Sequence, residues 1–174
     1  MKLSIVTLVG FLATVGPGAT VAQEAKPACA AQDTALPAEY AGWASKADLV
    51  SADKAADLPK ATLAVGKAVT ATLHPTREVA YATQPEKPGG SVAKGGMFGL
   101  KIDKAGTYTV ALGSGPWIDV LQGGKPLEST AHGHGPDCSS IRKMVAFNLQ
   151  PGSYVVQISA NADPTLAIMV ARQP

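Results

Sequence analysis

From Ala61 to the end of the chain, apolar and polar side chains alternate in short runs cut by glycine, proline and asparagine. Alternation with period two puts one face of an extended segment in a core and the other outside, and turn signals about every 8–12 residues leave no room for long helices. Lys67–Leu73 reads as a strand, and residues 79–83 as a short one. Gln84–Gly96 is a long loop with Pro85, Pro88, Gly89 and Gly90. Met97–Ile102 and Thr107–Leu112 read as a hairpin turning at Asp103–Gly106, and Trp117–Leu121 with Lys125–Thr130 as a second one turning at Gln122–Gly124. Arg142–Leu149 turns at Gln150–Ser153 into Tyr154–Ser159, and Asn161–Pro164 leads into a last strand, Thr165–Ala171. Eight or nine short strands over 61–174 predict an all-β, single-domain β-sandwich.

The first part of the chain has another texture. Residues 23–60 are rich in Ala, Asp and Lys, with Tyr40 and Trp43 as the large anchors. Leu36–Trp43 suits a short helical turn, with Pro37 opening it and Gly42 stopping it, and residues 46–57 suit another brief helix. This region is expected to be a partly helical arm packed on the sandwich.

Residues 1–22 have the form of a secretory leader. Lys2 precedes an apolar run, Leu3–Val15; Gly16-Pro17-Gly18 breaks it, and Thr20-Val21-Ala22 offers small residues for cleavage before Gln23. The run is shorter than the roughly 20 residues of a membrane-spanning helix. A periplasmic or secreted product is expected, with no membrane attachment after cleavage. Of 15 Lys and Arg against 13 Asp and Glu, the leader holds only Lys2, so the exported part is close to neutral. That balance argues against nucleic acid as a partner.

Cys29 and Cys138 are the chain's two cysteines. In an exported chain such a pair is expected to form a disulfide, here closing a loop of roughly a hundred residues, worth about 4–5 kcal/mol on a chain-entropy model. Cys138 ends the densest group of chemically active side chains, His132-Gly133-His134-Gly135-Pro136-Asp137-Cys138. Imidazoles two residues apart on an extended segment point to one side and can share an ion. A catalytic metal site takes about three protein ligands; Asp137, Glu128 and His74 are the available additions, with Cys138 available only if reduced, and Fe(II), Zn or Cu would suit such a set. A tight, metal-free turn is the competing explanation. Trp117 beside Asp119 suits either a sugar-stacking platform or a core position. Arg142 and Lys143 suit either solvated positions or ion pairs with Asp137 and Asp119.

Two phrases, Ala105-Gly106-Thr107-Tyr108-Thr109-Val110 and Leu149–Ile158 with its Pro151-Gly152-Ser153-Tyr154, place a tyrosine two residues after a turn glycine. They resemble phrases of jelly-roll sandwiches, including carbohydrate-binding modules and C-terminal domains of secreted peptidases. The runs Ala111–Asp119, Ala131–Cys138 and Ile141–Phe147 resemble a group of short exported proteobacterial proteins that often carry the name homogentisate 1,2-dioxygenase. Homogentisate dioxygenases themselves, which are longer, cytoplasmic and cupin-fold, are similar in His134-Gly135-Pro136-Asp137. There the resemblance implies His134 as an iron ligand. Their second histidine and glutamate have no counterpart here, and Val155 and Gln157 stand where a second cupin motif would place its histidine.

Function is expected to be non-catalytic binding of a small molecule, glycan or metal ion at the His132–Asp137 face, with Trp117, Asp119 and Arg142 as ligand contacts. The alternative is a non-haem iron dioxygenase of the homogentisate type using His132, His134 and a carboxylate.

Overall fold

The computed structural model describes residue 33 and residues 36–174. The expected leader and Cys29 lie outside the described residues. The strands are β1 (Lys46–Val50), β2 (Thr62–Leu63), β3 (Ala68–Thr72), β4 (His74–Pro75), β5 (Lys94–Ile102), β6 (Gly106–Leu112), β7 (Trp117–Gln122), β8 (Lys125–Pro126), β9 (Ala131–Gly133), β10 (Lys143–Leu149), β11 (Gly152–Asn161) and β12 (Thr165–Arg172). One sheet runs β1-β3-β12-β6-β10-β9; the other runs β2-β5-β11-β7-β8, with β4 also against β5. The protein is an all-β sandwich. Pairing is antiparallel except for the parallel β1–β3 and β2–β5 contacts.

Successive long strands alternate between the sheets: β3, β6, β10 and β12 lie in one, and β5, β7 and β11 in the other. The orders β3-β12-β6-β10 and β5-β11-β7-β8 are those of a jelly roll. The expected hairpin of Met97–Ile102 with Thr107–Leu112 therefore does not form. Gly152–Asn161 likewise pairs with β5 and β7, not with β10. A turn between two alternating segments serves a crossing between sheets as well as a hairpin, because both bury the same face. The β7–β8 hairpin does form, although its second arm is two residues long.

Every second residue of the long strands enters the space between the sheets. Phe98, Leu100 and Ile102 of β5, Val156 and Ile158 of β11, and Ile118 and Val120 of β7 meet Val110 and Leu112 of β6, Val145 and Phe147 of β10, and Ile168 and Val170 of β12. The two glycine–tyrosine phrases share a further device. Tyr108 Oη donates to Lys104 O at 2.7 Å, and Tyr154 Oη donates to Gln150 O at 2.8 Å, so each buried phenol latches the turn it follows.

Both outer faces carry covers. A 3-10 helix, Ala38–Ala44, lays Tyr40 and the fully buried Trp43 on Ala68, Ala111, Met169 and Ala171. Gly42 lies inside this helix instead of ending it. The brief helix expected over residues 46–57 is split: Lys46–Val50 is strand β1 beside β3, and only Ala55–Lys60 is helical. A short helix is marginal by itself, whereas an extended segment beside an open strand gains a ladder of hydrogen bonds.

The other face is covered by residues 79–93. Residues 79–83 form no strand. Gln157, buried on the outward side of β11, accepts a hydrogen bond from Thr83 N at 3.1 Å and donates to Thr83 O at 3.0 Å. Ser159 Oγ donates to Lys87 O at 2.8 Å, and Tyr81 Oη to Ile158 O at 2.9 Å. Gly89 seats on the β-bulge at Ala160, where a Cβ would lie 2.8 Å from Ala160 Cα. Side-chain amides and hydroxyls thus replace strand pairing as the fastening of this strap. Gln157→Ala is expected to cost about 1–3 kcal/mol, because two backbone groups of Thr83 lose their partners. Amide exchange should accelerate across residues 81–87 while β5, β6 and β11 stay protected; uniform acceleration would show that the strap has no independent fastening.

Candidate functional site

The seven-residue run divides between two places. Ala131–Gly133 is β9, at the edge of its sheet, with His132 opposite Val145 of β10. Val145 faces the core, so His132 shares its side of the sheet and borders the space between the sheets. The chain then folds into a turn at Pro136–Ser139, where Ser139 N and Oγ both donate to Pro136 O, at 3.2 and 2.7 Å. Cys138 adopts φ 59° there. No cysteine among the described residues is free. Gly135 has a packing reason: a Cβ would run into the carbonyl and side chain of Ile141, whereas Gly133 faces open space.

The far end of the turn is tied to the N-terminal region. Asp33 accepts from Ser140 N at 2.8 Å and from Ser140 Oγ, while Trp43 Nε1 donates to Ser140 Oγ at 2.8 Å. Lys46 Nζ lies 3.7 Å from Asp33 Oδ2. Burial opposes ionisation of Asp33, but the hydrogen bonds from Ser140 and the charge of Lys46 outweigh it and hold its carboxyl below the usual range.

A cleft of about 410 Å³ opens on the side of the sandwich bounded by β7 and β9. β8 pairs with only Leu121 and Gln122 of β7, so Trp117–Asp119 border an open edge. The chain crosses the gap from Leu127, whose N–H donates to Val120 O, to Thr130, whose N–H donates to Ala146 O. Ile118, Leu127, Val145 and Phe147 form an apolar floor; Trp117, Asp119, Glu128, Ser129, His132, Lys143 and Glu86 supply the polar wall. Such a mixture of apolar lining and a few converging polar groups is what small-molecule sites have.

Trp117 is half-buried at the rim. Its Nε1 donates to Asp119 Oδ1 at 3.0 Å, and the ammonium groups of Lys87 and Lys143 lie 4.5 and 5.9 Å from its ring centroid. Lys143 begins the inward-facing row continued by Val145, Phe147 and Leu149, and donates to Pro116 O at 2.6 Å. Burial, and then the charge of Lys87, hold its pKa below that of an ordinary lysine. Burial pushes the Asp119 carboxyl above the ordinary carboxylate range; hydrogen bonds from Trp117 and Gln157 oppose this, and the charge of Glu86 adds to it.

Of the residues singled out above, Trp117, Asp119, Glu128, His132 and Lys143 converge on the cleft. His134 and Asp137 are exposed beyond it, and Arg142 is exposed with its N–H bonded to Leu112 O. His134 Nδ1 lies 3.2 Å from Arg142 O; a carbonyl only accepts, so the proton sits on Nδ1. His74 Nε2 lies 2.8 Å from Ser51 O, beside a separate cavity lined by Asp53 and Asp57. Among the described residues no group of three or more His, Cys, Asp or Glu side chains is placed to hold a metal ion. Lys143 serves Pro116 and Trp117, not an ion pair with Asp119. Lys143 had a legible signal, a lysine in the inward register of a strand; Glu86 and Lys87 had none, because a loop's course over a sheet leaves no periodicity. No family model matches the chain, and no curated protein matches it significantly.

Two outcomes are expected here. Gly135→Ala should destabilise the protein by about 1–3 kcal/mol through crowding against Ile141, measured by urea unfolding. Asp119 retains its proton to a higher pH when folded than when unfolded, so stability contributed by the neutral form is lost as pH rises through the folded value. Asp119→Asn keeps an acceptor for Trp117 and cannot ionise. It should match or exceed wild-type stability at neutral pH and lose that advantage below the ordinary value of 3.8. An offset independent of pH would overturn this account of Asp119.

Proposed function

We propose that the protein is an exported, periplasmic binding module that holds a small organic molecule in the Trp117–His132 cleft without transforming it. The observation that carries this is the combination of an apolar floor, Ile118, Leu127, Val145 and Phe147, with a polar wall at an open edge of the sandwich. Part of that wall, His132, belongs to the histidine run; the rest comes from β7, β10, the strap and the crossing that carries Glu128 and Ser129. Binding thus shifts from the His132–Asp137 face to the side of it that turns toward the core.

Export and a Cys29–Cys138 disulfide belong to the same proposal. Asp33 binds Ser140, and Cys29 stands four residues before Asp33. Four residues of extended chain reach about 13–14 Å, ample to bring Cys29 to Cys138. A bridge there would hold the turn next to β9.

Protein purified from a periplasmic extract without an affinity tag is expected to carry a small organic molecule visible by native mass spectrometry. Trp117→Ala should fold normally and weaken its retention at least about tenfold, roughly 1.4 kcal/mol. Absence of any retained mass, together with stoichiometric iron lost in a His132→Ala/His134→Ala variant, would replace this proposal with the dioxygenase.

A further inference from the structure

The wall of the cleft carries both signs of charge, Lys143 together with Glu86, Asp119 and Glu128. Lys87 and Lys143 converge on one indole, Trp117, from the strap and from β10. The ion pairs among the described residues lie elsewhere, on Asp33, Asp53, Asp57, Glu78 and Asp103, and neither of these lysines joins one. Lys143 uses one ammonium hydrogen on Pro116 O. An ammonium carries three donors, so hydrogens remain unused on both groups. Their charges repel each other, and the charge of Lys87 adds to burial in holding the Lys143 pKa down. Lys143, partly buried, lines the cleft beside the apolar floor, and Lys87, exposed, approaches the same indole from above; neither is joined to a carboxylate in an ion pair among the described residues.

We propose that the ligand of this cleft is a small amphiphile with an anionic head group, a carboxylate, bound between the ammonium groups of Lys87 and Lys143 beside Trp117, with its apolar body on Ile118, Leu127, Val145 and Phe147. This rests on the cleft being a binding site and specifies what fills it. The ring holds the two lysines in place by cation–π contact, and the head group accepts their unused hydrogens. Lys87 is exposed on the strap, so it can adjust to the head group without disturbing the sandwich.

Calorimetric titration of the whole exported chain with octanoate, octanol and octylamine separates the possibilities, because the three share one apolar body. Octanoate is expected to bind at least about tenfold more tightly than octanol, with an affinity that falls as salt rises. Lys87→Gln, a substitution of an exposed side chain, should bring octanoate close to octanol and leave octanol unchanged. Lys143→Met should act in the same direction, but it also removes the bond to Pro116, so Lys87→Gln decides. Equal binding of octanoate and octanol, abolished by Trp117→Ala, would overturn the anionic head group and leave the cleft standing. Tighter octylamine would overturn it in favour of Asp119, Glu86 and Glu128. No binding by any of the three would overturn both the inference and the cleft.

Discussion

Two sheets that bury their inward side chains only against each other, joined by a chain that changes sheet at nearly every turn, constrain everything else in this molecule. From β5 to β12 each long strand packs face to face with the ones before and after it in sequence, not edge to edge. Hydrogen-bonded neighbours are therefore distant in sequence, as with β12 between β3 and β6. The connections must cross the ends and open sides of the sandwich. One of them, Leu127–Thr130, crosses between β7 and β9, and the cleft lies beside it.

The outer faces set a second demand. Ala111, Met169 and Ala171 on one sheet, and Gln157 and Ser159 on the other, are buried although they point away from the core. The first face is covered by apolar contact with Tyr40 and Trp43, the second by hydrogen bonds to the strap. The difference follows the chemistry of each face. An apolar face accepts any apolar lid, while a buried amide or hydroxyl must find a specific backbone partner. The strap's path is thereby defined, and with it the position of Lys87 over Trp117.

Most long strands were legible because burial of one face imposes period two, and glycine and proline mark where it stops. The tyrosines after turn glycines were legible as well, since a phenol reaches back to its own turn over a short separation. Pairing was not. Gly106–Leu112 has the same alternation whether it lies beside β5 or across from it. Lys46–Val50 carries no strong alternation, and its extended form depends on the open edge of β3. At the site, Trp117, Asp119, Glu128 and His132 could be chosen by residue type, but the separation of His132 from His134 depends on where β9 ends and the Pro136–Ser139 turn begins.

The amino-acid sequence by itself determined that this chain makes strands, roughly where they begin and end, and which face of each is apolar, because those properties depend on neighbours a few positions apart. Only the tertiary structure decided that consecutive strands oppose each other across a core, that residues 79–93 cover a sheet, that Trp117, Asp119, His132 and Lys143 surround one cleft, and that Lys87 lies over Trp117 at its rim. Those outcomes depend on which surfaces remain open once the first contacts have formed, and a pattern along the chain carries no record of them.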